Sequence, residues 1–257
     1  MTQDMTLRNV APLANVVRLS TLIERCDARA SGLPGMGCFY GRAGLGKSFG
    51  GIFMANRFNA CHVQALPFGG TKKLFQMIVT ELGLRPRTTV ADLFDQTVGQ
   101  LAKTGRPLII DEADLILTDR TIESVRLLHD HAAVPVIFMG EELLPQKLKK
   151  WERVNGRILS WVAAEDATAE DLNHLARIYA RDIALDDALK AELLERSGGS
   201  IRHVSTNLAA VAELAKTKGL TRVTMNDWGQ RHWNSEQPPE PRVVRFRGEV
   251  TRRRGAA

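Results

Sequence analysis

The segment Gly41-Arg42-Ala43-Gly44-Leu45-Gly46-Lys47-Ser48 has the spacing G-x-x-x-x-G-K-S. Glycines at the bends of such a loop let backbone amides turn inward around an anion, and a helix starting at the lysine adds the positive end of its dipole. Lys47 would then reach the outer phosphates of a nucleotide while Ser48 ligates magnesium. Gly41, Gly44, Gly46, Lys47 and Ser48 are therefore the candidate nucleotide-binding residues. The other half of the chemistry is an acidic strand end, which Leu108-Ile109-Ile110-Asp111-Glu112 supplies. Asp111 would hold the magnesium shell through water, sharing the metal with Ser48, and Glu112 would polarise the attacking water. No N-K-x-D-like guanine-reading segment is present, so ATP with Mg2+ is the expected cofactor pair and ATP hydrolysis the expected reaction.

Two arginines complete the candidate catalytic set with Lys47 and Glu112. Arg157, directly before the last apolar run of the core, is the expected cation offered to a neighbouring subunit's transition state, with Arg153 as the alternative. Arg202, in Gly198-Gly199-Ser200-Ile201-Arg202, falls in the first turn of a helix, where a cation opposes the dipole and an external anion would compensate it.

These residues need elements to position them. Apolar groups at Leu13, Val16, Val17, Leu19, Leu22 and Ile23 have helical spacing and predict an amphipathic helix over residues 12–29. MGCFY before the glycine loop, CHVQALP, LIID, VPVIFMG and RILSWVA read as five strands separated by helices within about residues 35–163. Apolar runs without polar alternation are typical of a parallel sheet covered on both faces. After Ala164 the segments TAEDLNHLARIYARDI, DDALKAELLERS, IRHVSTNLAAVAELAKTKG and MNDWGQRHW predict a small all-helical domain, with Thr168 and Asp171 as an N-terminal cap. The expected organisation is an N-terminal helix and linker (1–34), an α/β nucleotide-binding core (35–165), a helical lid (166–234) and a basic C-terminal arm (235–257). Trp151 and Trp161 are expected at the junction of the domains, and Trp228 and Trp233 as a small cap or partner face.

The chain has 257 residues, 35 Lys and Arg against 29 Asp and Glu, and a formal charge of +6. Residues 238–257 hold six Arg and two Glu, so most of the excess sits in the arm rather than in the folded body. That distribution points weakly to a polyanion partner. Candidate phosphate contacts in the body are Lys72, Lys73, Arg85 and Arg87, and in the arm Arg245, Arg247, Arg252, Arg253 and Arg254. Cys26, Cys38 and Cys61 lie near no second cysteine or histidine in a zinc pattern and are expected as reduced core thiols. MTQDMTLRNV lacks the basic start and apolar run of a secretory signal, and no stretch approaches a membrane span. A cytoplasmic protein with no membrane partner is expected.

Together these motifs resemble the AAA+ ATPases over about residues 10–230: a phosphate loop, an acid pair on the third core strand, an arginine near the core's end and a sensor arginine in a helical lid. The LIIDEAD strand, VPVIFMG followed by EELLPQKL, and GGSIRHV in the lid look most like the transposition target-selection ATPases of the phage MuB and TnsC group. The resemblance implies self-association into an ATP-dependent helical filament on double-stranded DNA, without sequence readout, that directs or stimulates a DNA transposase. Two departures stand out. Many members carry a polar sensor residue at the end of the fourth strand, where this chain has Phe138-Met139-Gly140, with Glu141 the first polar side chain; slow turnover follows. The residues before the core are also too few for the helix-turn-helix domain of the phage proteins. The competing readings are a helicase-loader-like ATPase of the IS21-helper type and a nucleotide-switched protein-interaction scaffold with little hydrolysis.

Overall fold

The computed structural model describes residues 13–235. The five apolar runs form strands β1 (Met36–Tyr40), β2 (Cys61–Gln64), β3 (Leu108–Asp111), β4 (Val136–Gly140) and β5 (Ile158–Ala163). They make one parallel sheet in the order β2-β3-β4-β1-β5. Side chains of successive strand residues point to opposite faces, and the core divides accordingly. Phe39, Ile109, Ile137 and Met139 pack on one side with α1 (Ala14–Asp27) and α2 (Lys47–Arg57). Cys38, Ile110, Val136 and Phe138 pack on the other with α3 (Gly70–Glu81), α4 (Val90–Thr104) and α5 (Asp119–Ala132). Burial of both faces is why the strand sequences carry no alternation.

In α1 the buried residues Val16, Leu19, Leu22, Ile23 and Cys26 form a helical stripe that lies on the sheet. Helix α3 starts at Gly70, ahead of the apolar stripe that begins at Leu74, and so includes Lys72 and Lys73. A 3-10 turn (Ala113–Ile116) and short helices α6 (Leu144–Leu148) and α7 (Glu152–Asn155) complete the core. Trp151 packs on the core cluster under α5 and donates its indole N–H to Asp119 Oδ1 at 2.8 Å, so it does not join the domains. Trp161 stands on the outer strand β5, 36% exposed. All three cysteines are free and buried, and burial pushes the thiols of Cys26 up to about 11 and Cys61 up to about 12.

Residues beyond the core fold as α8 (Ala169–Tyr179), α9 (Asp187–Arg196), α10 (Ile201–Lys218) and α11 (Met225–Trp228). The expectation of an all-helical lid needs one correction. A parallel pair of two-residue strands, β6 (Ala184–Leu185) and β7 (Arg222–Val223), ties the lid's two halves together, too short to leave a period in the sequence. Thr168 and Asp171 form a reciprocal capping box on α8. The second oxygen of Asp171 accepts the Ala14 amide at 2.8 Å, which fastens the lid to the start of α1. Trp228 and Trp233 are not a partner face: the rings stack at 4.3 Å and are 2% and 9% exposed within the lid's core. That core is continuous with the α1 face of the sheet, so lid and core share one apolar interior.

Candidate functional site

The phosphate loop leaves β1 at Gly41 and enters α2 at Lys47. Gly44 (φ +85°) and Gly46 (φ +80°) occupy the left-handed region, which a side chain would disfavour. Lys47 Nζ donates to the carbonyls of Gly41 (2.6 Å) and Arg42 (2.8 Å), so its ammonium lies over the loop. Burial lowers its pKa, opposed by the charges of Asp111 and Glu112. Those two acids leave the neighbouring region of the same sheet edge, because all five strands run in parallel. Asp111 is 2% exposed and its Oδ1 accepts the Glu112 amide at 2.9 Å. Glu112 has φ 54°, a left-handed conformation that costs a non-glycine residue about 1–3 kcal/mol. Burial raises its pKa, as does the charge of Asp111, while Lys47 lowers it. A carboxylate so poised is suited to taking a proton.

These groups open into a cavity of about 910 Å³ between core and lid. It is lined by the polar groups Lys47, Ser48, Asp111, Glu112 and Glu141 and by the apolar side chains of Leu13, Phe49, Leu175, Ile178 and Ile201 with Tyr179. Such a mixed lining suits a ligand with both charged and flat apolar parts. Arg202 also lines the cavity, and among the described residues no carboxylate pairs with its guanidinium. The lid is seated on the loop itself. The Arg202 amide donates to Gly44 O at 3.1 Å, and Ser200, which caps α10, donates its hydroxyl to the same oxygen at 3.4 Å.

Several groups that hold the site together went unrecognised in the sequence. Asn15 on α1 donates to Leu45 O (3.0 Å) and Glu165 O (2.8 Å) and accepts from the Glu165 amide (2.8 Å), clasping the phosphate loop to the connection into the lid. Arg42, a variable position of the loop, pairs with Asp166 at 2.7 Å and reaches the carbonyl of Gly198. Asp114 accepts the Glu141 amide and pairs with Lys147, both at 2.7 Å. A Cβ on Gly140 would lie 2.1 Å from its Oδ2, so the glycine that ends β4 leaves room for this carboxylate. An asparagine on an amphipathic helix and a third acid after a strand carry no sequence signal of their own.

Other candidate residues fall elsewhere. Arg157 lies at the start of β5, its carbonyl bonded to the Met36 amide, a strand's length (roughly 13 Å at 3.3 Å per residue) from the edge that carries its own phosphate loop. Its side chain pairs with Asp130 at 2.8 Å. Arg153 is 80% exposed, with Glu123 at 3.5 Å. Lys72 and Lys73 lie in the first turn of α3, whereas Arg85 and Arg87 follow its far end, about 12–14 Å from the lysines along the helix, so the four do not form one patch. Arg87 is partnered by Asp92 at 3.8 Å. Arg245, Arg247, Arg252, Arg253 and Arg254 lie outside the described residues. Among the described residues no group of three or more His, Cys, Asp or Glu is placed to hold a metal by itself, and no helix is long and apolar enough to cross a membrane.

Residues 30–148 match the family model of an AAA domain. No curated protein matches the sequence. Among solved structures, ORC1 of Aeropyrum pernix in complex with DNA superposes with a TM-score of 0.61 at 16% identity, covering 88% of this chain and 66% of that one. Cdc6p of Pyrobaculum aerophilum gives 0.61 at 12% identity, covering 82% and 64%. A RuvB variant of Thermotoga maritima gives 0.58 at 16% identity, covering 85% and 67%. The chain thus spans about two thirds of the length of these proteins. Fold, loop and acidic strand end together define an AAA+ P-loop core followed by a smaller helical region, and the AAA domain supports ATP hydrolysis. The likeness to these structures is one of fold and does not single out the transposition group.

Proposed function

We propose that the chain is an ATP- and magnesium-dependent AAA+ ATPase that self-associates and acts on DNA in the cytoplasm as an initiator- or helicase-loader-like factor. The observation that carries this reading is the composite cavity, in which the phosphate loop, the acidic strand end and the lid's Arg202 converge. The core is residues 35–165, the lid 166–234, and the cavity lies where they meet. The loop fits a triphosphate: among the described residues its ammonium bonds to backbone carbonyls alone, and Gly44 and Gly46 present no side chain at the two left-handed bends. Lys47 would exchange those carbonyls for the outer phosphates, Ser48 and Asp111 would hold the magnesium ion, Glu112 would orient and deprotonate water, and Arg202 would report the bound phosphates to the lid. Magnesium, when bound, neutralises phosphate charge and orients the terminal group. The apolar side chains of the lining would receive the base.

The DNA component is supported by the named function of one matched structure, an ORC1 bound to DNA. It is also supported by Lys72 and the 64%-exposed Phe68, which leave the sheet edge that carries the nucleotide site. Arg157 or Arg153, on the opposite edge, faces a neighbouring subunit. The test is ATPase activity with single-stranded DNA, duplex DNA or none, with electron microscopy of the same samples. DNA-stimulated turnover with ATP-dependent oligomers supports the proposal; turnover indifferent to both DNA forms overturns its DNA component. Long helical filaments on duplex DNA, with stimulation of a transposase, would instead favour the narrower target-selection reading, and nucleotide binding without turnover the scaffold.

A further inference from the structure

Behind the acidic strand end lies a histidine that the site as described leaves idle. His62 sits on β2, in register with Ile109 of β3, two residues before Asp111. Its side chain is 15% exposed, and its Nε2 is shut off from solvent with no hydrogen-bond partner among the described residues. The nearest polar atom recorded for it is Asp111 Oδ2, at 4.0 Å, and that carboxylate is itself 3% exposed. The ring occupies a slot that α2 leaves open: a Cβ on Gly51 would stand 2.8 Å from Nε2 and 3.2 Å from Met139 Cε. Burial lowers the pKa of the imidazole, against the pull of Asp111 and Glu81. A neutral ring carries one N–H.

An orphaned polar atom inside a packed layer is costly, and leucine would fill the same slot without the orphan. The separation is about 1 Å longer than a hydrogen bond. Asp111 already has Oδ1 fixed by the Glu112 amide, while Oδ2 faces the histidine. We propose that His62 is a positioning residue for Asp111, its Nε2–H closing onto Oδ2 when magnesium nucleotide binds, so that the carboxylate is held by a donor on each oxygen. Outer partners of this kind fix the orientation of a metal-binding group. The inference rests on the functional reading above.

The test uses the full chain with Mg2+ and ADP. In nitrogen-15 spectra, His62 Nε2 takes the protonated, hydrogen-bonded signature on addition of Mg2+ and ADP. For His62→Leu the Mg2+ concentration giving half-maximal nucleotide binding and turnover rises about tenfold, while His62→Gln, which keeps a donor, stays within about threefold of the wild type. The melting temperature of the leucine variant is unchanged or higher, since it removes the orphan; a purely structural histidine would give the reverse. Wild-type Mg2+ dependence in His62→Leu, or an unprotonated Nε2 in the nucleotide-bound protein, overturns the proposal. Should the leucine variant fail to fold, the spectra of the wild type and the Mg2+ dependence of His62→Gln decide. A wild type that binds no magnesium nucleotide would overturn the functional reading; one that binds it, with His62→Leu unaltered, overturns only the histidine's role.

Discussion

Gly44→Ala tests whether the lid must rest on the phosphate loop for nucleotide to bind. Gly44 has φ +85°, and a side chain in that region costs about 1–2 kcal/mol. The added methyl would stand 2.5 Å from Ser200 Oγ and 3.8 Å from Arg202 Cβ. Relief of the first contact displaces α10, and with it the bond from the Arg202 amide to Gly44 O, about 0.5–1.5 kcal/mol. The variant relieves the clash by opening the lid, and binding must close it again. Together the terms come to roughly 1.5–3.5 kcal/mol, or about 10- to 300-fold in nucleotide affinity at 1.4 kcal/mol per decade. Titration calorimetry or a fluorescent ATP analogue reads this directly. Ser200→Ala in the same background removes the hydroxyl and should recover only the steric part, leaving the backbone cost. A Gly44→Ala protein with a Kd within about twofold of the wild type would refute the argument, because neither the strain nor the clash could then be present in the nucleotide-bound state.

The remaining predictions concern the carboxylates and the outlying arginines. Glu112→Gln should keep nucleotide affinity and prolong the ATP-bound assembly, lowering kcat by about 100-fold or more as the general base is lost; product-release kinetics check it. Turnover needs Glu112 ionised, and its pKa is raised by burial and by Asp111, so activity should fall with decreasing pH before an ordinary glutamate would titrate. Glu141→Gln removes one of the charges that raise it and should shift this acid limb to lower pH in a pH–rate profile. Arg157→Ala breaks a partly exposed pair with Asp130 and should cost about 0.5–1 kcal/mol of stability in denaturant titration, whereas Arg153→Ala should cost almost none. Mixing Lys47→Ala with each arginine variant should restore turnover only where intact sites form at shared interfaces, and absence of rescue in every mixture would refute a trans-acting cation.

The sheet and the phosphate loop were legible because their physics is local. A buried parallel strand announces itself as an apolar run, and the loop needs glycines at fixed offsets before a lysine. Asp111 and Glu112 were legible for the same reason, since the acids directly follow the run Leu108-Ile109-Ile110. What escaped depends on chain segments far apart. Asn15 bonds to Leu45 and Glu165, and Asp171 bonds across to Ala14; in one dimension each is an ordinary polar residue. The tryptophans of the lid misled because aromatic residues near a chain's end look like a surface cap, yet Trp228 and Trp233 stack inside it. Lys72, Lys73, Arg85 and Arg87 look like one basic stretch only until α3 is drawn as a rod that separates its ends.

The charges around the cavity bear on why such a site would need a second subunit. Lys47 and Arg202 face three carboxylates, Asp111, Glu112 and Glu141, before any ligand arrives. Lys147 is already paired with Asp114 and is no spare cation. A triphosphate with its magnesium ion brings in further net negative charge, spread in the transition state over the equatorial oxygens of the transferred group. Among the described residues the cavity has no third cation to meet it, and a cleft partly shielded from water strengthens that imbalance relative to bulk solvent. A cation from a neighbouring subunit would offset it. Arg153 and Arg157 project from the opposite edge of the sheet, where they cannot reach their own phosphate loop but can be offered to a neighbour's. Turnover would then rise more steeply than linearly with protein concentration below the assembly threshold, and a specific activity independent of concentration in a demonstrably monomeric sample would defeat the argument.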